Sequence, residues 1–130
     1  MEYTVRLSED EKIVAAWATG EWDAVTDNKM VHQVLERVDA TGCRKVLLDI
    51  RELHFDFPIA QIFGRAKEIG EQRRHFVKVS TKTAIVYPST NRKVEEDMLF
   101  FENATRNRGL PYRIFKDIED AITWLLEDES

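Results

Sequence analysis

The sequence predicts an α/β domain: a mostly parallel five-stranded sheet with an antiparallel N-terminal edge strand, its elements in the order ββαβαβαβα. Three observations carry that expectation. Apolar residues alternate with period two at the start of the chain, the mark of strands with one wet face. Further on, Val46, Leu47, Leu48 and Ile50 run without alternation, as in a strand covered on both faces. Between the apolar runs lie stripes of helical period, and repeated strand–helix–strand units impose right-handed crossovers and parallel pairing.

Tyr3, Val5 and Leu7 define the first strand, and Ser8-Glu9-Asp10-Glu11 is a polar turn. Lys12 to Thr19 supplies a second strand, expected to form a hairpin with the first and to stop at Gly20. Asp23 is placed to cap a helix that starts near Ala24, buries Val31, Val34, Leu35 and Val38, and ends at Gly42. After the central strand the chain is expected to cross RELHFDF as a loop, and Pro58 suits the first turn of the next helix, striped by Ile59, Ile62, Phe63, Ala66 and Ile69. Phe76, Val77 and Val79 read as a loop packing on the sheet, with a lid as the alternative. Thr83 to Tyr87 is the next strand, and Pro88-Ser89-Thr90-Asn91 offers turn and capping chemistry. The following helix places Val94, Met98, Phe101 and Ala104 on one face, with Phe100 on the flank and Leu99 pointing away. Tyr112 to Phe115 is the last strand. Asp117, with Asp120 three residues on, starts a final helix whose expected buried stripe is Ile118, Ala121, Ile122, Leu125 and Leu126.

A chain of 130 residues with 43% hydrophobic and 33% charged residues is expected to form one domain over residues 1–130. No apolar run approaches the roughly 20 residues of a membrane span. The acidic start, MEYTVRLSEDEK, lacks the pattern of a signal peptide, so a cytoplasmic location is expected. A net charge of −5 argues against sequence-independent nucleic-acid binding, which rests on a basic face. The cations Arg65, Lys67, Arg73, Arg74, His75, Lys78 and Lys82 are interspersed with Glu68 and Glu71 and read as a solvated face. Cys43 has no second thiol and reads as a small, partly buried structural residue.

Enzyme signatures are missing. The chain contains no GxGxxG, no GxxxxGK[ST] and no GxSxG, and its histidines, His32, His54 and His75, have no metal-binding spacing. No cofactor or metal is therefore expected. Asp49, Glu52 and Asp56 follow the central strand closely and could divide acid and base work, but an aspartate ending a strand more often accepts hydrogen bonds from loop amides. No catalytic residue is assigned.

The layout, together with KVLLDIRELHFD at the central strand, NRGL after the third helix and FKDIEDAITWL at the end, resembles the STAS-type domain of anti-sigma-factor antagonists and sulphate-transporter tails. Phe115, Asp117, Glu119, Ala121, Trp124 and Leu125 match the ending of its small stand-alone branch. The resemblance covers nearly the whole chain through motifs that are mostly structural. In the antagonists, a serine in an Asp-Ser-Ser-Gly loop after the central strand is phosphorylated by a partner kinase, which changes the docking surface. Here Phe57, Pro58 or Ile59 fills the serine positions, and none can take a phosphate.

The resemblance implies a non-enzymatic interaction module whose protein partner the sequence does not name. Its docking edge would comprise Asp49, Leu53, Phe55, Asp56, Phe57, Pro58 and Ile59, with Tyr87, Ser89 and Thr90 from the neighbouring loop. The alternative is a small apolar ligand or lipid held at the same edge, with Phe55, Phe57, Phe63, Phe76 and Phe100 as walls. Leu99 and Phe100 carry more apolar surface than a helix–sheet contact needs and mark a homodimer candidate.

Overall fold

A computed structural model of the protein describes residues 1–54, 68, 81–87, 92–107 and 112–127. The five strands follow one another across a single sheet in sequence order: β1 (Glu2–Leu7), β2 (Val14–Glu21), β3 (Lys45–His54), β4 (Lys82–Val86) and β5 (Tyr112–Phe115). β1 pairs antiparallel with β2, and every later neighbour pairs parallel, as the sequence pattern anticipates.

The β1–β2 turn is built by side chains. The Ser8 amide donates to the Ile13 carbonyl at 2.8 Å, the Ser8 hydroxyl donates to Asp10 at 2.6 Å, and the Ile13 amide donates back to the Ser8 hydroxyl at 3.1 Å. Gly20 does not end β2. It takes a φ of 88°, open to glycine and strained for other residues, and the strand bends through it to Glu21.

α1 (Ala24–Thr41) begins and ends at the expected caps. Asp23 accepts from the Thr26 amide at 2.7 Å, and Gly42, in the left-handed region at φ 72°, donates its amide to the Val38 carbonyl at 2.8 Å. Met30 joins the expected Val31, Val34, Leu35 and Val38 on the buried stripe. The connections from β2 to β3 and from β4 to β5 both step the same way across the sheet, so right-handed crossovers place α1 and α2 (Arg92–Asn107) on the same face. There Val31 and Leu35 of α1 meet Met98 of α2, Ile85, Tyr87 and Tyr112. The helix expected to start at Pro58 and the packing expected of Phe76, Val77 and Val79 lie outside the described residues.

α3 (Ile118–Leu126) covers the opposite face. Ala121 and Leu125 pack with Ile13, Ala15, Leu47, Ala84 and Val86, while Ile118 and Ile122 are only partly buried. Leu126 departs from the expectation and is 38% exposed. One residue along a helix is a 100° turn, so with Leu125 aimed at the sheet Leu126 swings off it. Asp117 caps the helix by accepting from the Glu119 amide at 2.7 Å rather than from Asp120. Lys82 also departs from the solvated-face reading. Its ammonium bonds the Trp124 carbonyl and lies 4.4 Å from the Trp124 ring, a cation at a helix C-terminus.

Two outcomes are expected. Leu125→Ala, which empties a fully buried site, lowers unfolding free energy by about 2–5 kcal/mol in urea titration; a midpoint unchanged from wild type would mean α3 does not seal this face. The second concerns acid. Its bond from the Thr26 amide holds the Asp23 carboxyl below the ordinary aspartate range. A depressed carboxyl stabilises the fold above its unfolded pKa of about 4 and stops doing so as pH falls through the folded value. Asp23→Ala therefore lowers the melting temperature at pH 7, and the gap from wild type narrows in acid; a gap independent of pH would reject the assignment.

Candidate functional site at the carboxyl ends of the strands

Open parallel sheets bind their ligands beyond the carboxyl ends of the strands, and here that edge is shaped by an irregularity in β3. β3 leaves β4 at the Asp49–Val86 pair but continues to His54, alongside β2 alone among the described residues. The segment expected as a loop after Ile50 is thus strand as far as His54. Between the Trp17–Asp49 and Thr19–Glu52 pairs, β2 advances two residues and β3 three, which places a bulge at Ile50–Arg51.

Asp49 occupies the start of that bulge and is 8% exposed. Its carboxylate accepts the Arg51 backbone amide at 3.2 Å, Arg51 Nε at 2.9 Å and Arg51 Nη2 at 2.7 Å. One side chain thereby takes up a bulge amide and a bidentate guanidinium. The same hydrogen bonding holds the Arg51 guanidinium above its ordinary pKa.

The bulge also reverses the facing of the residues after it. Leu47 packs on the α3 side, and a regular strand would send Leu53 the same way. With one residue added, Leu53 instead joins Ala18 and Met30 beneath α1, paired in register with Gly20. Leu53 is therefore a core residue at the root of the edge and not part of a loop surface. The Trp22 amide donates to the His54 carbonyl at 2.8 Å, closing the end of the two-strand extension.

Tyr87 follows β4, and the turn residues after it predict a place at the surface of the neighbouring loop. Instead it is buried among Val31, Leu35, Met98 and Tyr112, with its amide donating to the Phe115 carbonyl at 3.1 Å. Burial raises the pKa of its phenol, an effect that nearby Lys116 partly offsets. Lys116, just past β5, pairs with Glu95 in the first turn of α2, and that hydrogen bond raises the Lys116 pKa. From the same helix Glu102 accepts the Ile114 amide at 2.7 Å, binding α2 to the outer edge of β5.

Asp49 and Tyr87 lie where β3 leaves β4, Asp49 on the α3 face and Tyr87 on the α1 face, and Leu53 lies further along β3 in a different core cluster from Tyr87, so the three are not brought into one site. Phe55, Asp56, Phe57, Pro58, Ile59, Ser89 and Thr90 lie outside the described residues. So do four of the five aromatic walls of the apolar-ligand reading, Phe100 being the exception. Leu99 is 52% exposed on α2 and Phe100 is half-buried. Among the described residues no cluster of three or more His, Cys, Asp or Glu could hold a metal, and no helix is long and apolar enough to cross a membrane. Sequence reasoning missed Arg51 and the bulge. The signal was an Asp-x-Arg pair followed by an apolar residue out of phase with the strand, DIREL.

No family model matches the chain, and no curated protein matches it in sequence. Solved structures do. An anti-sigma factor antagonist from Mycobacterium paratuberculosis superposes with a TM-score of 0.56 at 17% identity, covering 97% of this chain and 96% of that one. The unphosphorylated form of the anti-sigma factor antagonist SpoIIAA gives 0.46 at 15% identity, covering 95% and 96%. Five strands in sequential order, an antiparallel edge strand and a likeness along almost the whole chain give this protein a STAS-like fold.

Proposed function

We propose that the protein is a non-enzymatic regulatory module that binds another protein through the edge following β3. The observation that carries this reading is the likeness, across 97% of the chain, to a protein described as an anti-sigma factor antagonist. Because fold alone does not dictate activity, the chemistry at the edge matters as much. Three carboxylates near it have structural employment: Asp49 holds Arg51, Glu95 pairs with Lys116, and Asp117 caps α3. A binding surface needs apolar and acidic side chains, and the sequence Phe55-Asp56-Phe57 supplies both.

In this reading Phe55, Phe57 and Ile59 make apolar contacts, Asp56 supplies the charge that orients the partner, and Ser89 and Thr90 flank them. Leu53 and Tyr87 support the edge from beneath. With Phe57, Pro58 or Ile59 in the serine positions, docking is set by concentration and partner rather than by phosphorylation at that point. The module acts as one cytoplasmic domain.

Phe57→Asp is expected to abolish capture of the partner in affinity pull-downs from the source cell while circular dichroism and melting temperature stay at wild-type values; undiminished capture would move the docking site elsewhere. Native mass spectrometry separates this reading from the ligand alternative. A protein at its bare mass agrees with docking, whereas an adduct of a few hundred daltons, lost on denaturation, would replace docking with binding of an apolar small molecule. Asp49→Ala strips the bulge of its acceptor. Since Arg51 is 43% exposed and regains water, the loss of stability is only about 1 kcal/mol in denaturant titration. Partner affinity falls with it because the segment is no longer aimed; full affinity in this variant would show that the bulge does not position the edge.

A further inference from the structure

The two edges of the sheet are finished differently. At β5, Glu102 reaches down from α2 and takes the Ile114 amide, so that edge is blocked. At β1, among the described residues, the backbone of Glu2–Leu7 bonds β2 on one side and meets no side-chain acceptor or donor on the other. Above the strand, Gln33 of α1 donates to the Tyr3 hydroxyl at 2.8 Å.

We propose that β1 is the interface of a homodimer, in which two copies pair antiparallel along this edge about a twofold axis through Thr4. The strand's own sequence argues for a second copy as the occupant. A twofold normal to the sheet requires directly opposite residues to share a face, which permits only registers that centre on a residue. Centring on Thr4 sets Glu2 opposite Arg6 of the other copy, twice by symmetry, Tyr3 opposite Val5, and Thr4 opposite Thr4. Opposite charges and threonine pairs are favourable cross-strand partners. Glu2, Thr4 and Arg6 all lie on the exposed face, where Arg6 is held 5.9 Å from the Trp17 ring centroid. Centring on Val5 instead puts Arg6 against Thr4 and loses both ion pairs.

The layer above is complementary in the same way. α1 lies over β1 and β2, and between its outer flank and Tyr3 runs an open groove of about 590 Å³ lined by Asn28, Lys29, His32, Gln33 and Glu36. Neighbouring strands are about 4.8 Å apart, so the two α1 axes would lie about 10 Å apart, an ordinary distance for packed helices. Gln33, bonded to Tyr3, sits close to the twofold, and antiparallel helices centred between His32 and Gln33 bring Lys29 of each copy to Glu36 of the other. Each copy would fill the other's groove, and the charge at both levels makes the assembly sensitive to salt.

The experiment is sedimentation equilibrium of the full chain across a micromolar concentration series, in low and high salt. The expected result is a mass approaching twice the 15.2 kDa of one chain, with association weakening as salt rises. Arg6→Glu sets like charges against Glu2 at both symmetric positions and raises the dissociation constant by about tenfold or more, and Glu2→Arg combined with Arg6→Glu restores it. Lys29→Glu, on a different element, weakens the dimer independently and covers the case in which Arg6→Glu disturbs the hairpin. A monomer at every concentration overturns the proposal. So does a dimer that withstands both Arg6→Glu and Lys29→Glu, or one that dissociates instead on Leu99→Glu, which would transfer the interface to α2.

Discussion

The three hydrogen bonds that Asp49 accepts from Arg51 are the constraint on which the candidate edge depends. A bulge in a parallel strand leaves an amide without a partner in the ladder, and a buried amide without a partner is costly. The Asp49 carboxylate takes that amide and is itself neutralised by the guanidinium two residues on. Because the amide, the charge and the burial are settled by one pair, β3 can shift its phase in mid-course. It can then send Leu53 into the α1 side of the core and continue beside β2 to His54. An acidic residue at this place in a sheet invites a catalytic interpretation; its geometry describes a fastening.

Packing distributes the rest of the structure around the central strand. The α1 and α2 sides of the core share Leu48 and Ile50 of β3, while Leu47 of the same strand belongs to the α3 side. Substitution in β3 is therefore felt by both layers. The periphery is held by polar devices: Lys82 at the end of α3, Lys116 with Glu95 between β5 and α2, and Glu102 on the β5 backbone. Each ties a helix to a strand end or edge where the ladder alone leaves groups unpaired, and the Lys82 bond does so across 42 residues of sequence.

What could be read from the sequence divides along the range of the interactions responsible. α1 is fully legible because everything that defines it is local: an aspartate before the first turn, a stripe of helical period and a glycine at the end. The five strands and the antiparallel edge are legible for the same reason, since periodicity and connection length limit the topologies. The end of β3 is not, because its pairing depends on Thr19, Gly20 and Glu21, some thirty residues earlier in the sequence. Gly20 reads as a strand breaker and proves to be a bend that β3 follows. Tyr87 reads as surface because a Pro-Ser-Thr-Asn turn follows it, yet α1 and α2 close over its ring. Leu126 reads as core because stripe counting cannot tell how narrow the contact of a short helix with its sheet will be.

The extension of β2 and β3 past the last β4 pair has a consequence for motion. Among the described residues, β3 from Glu52 to His54 has a neighbour on one side only, and Gly20 and Glu21 lie beyond the last pairing with β1. Such a two-strand extension has half the ladder of the sheet interior. Local opening there costs less than global unfolding, so its amides exchange with solvent ahead of those of Val46 to Leu48. The segment that leads to the candidate edge is thus anchored at Asp49 and loosest at its far end, which lets the tip adjust to what it meets while the sheet behind it stays fixed.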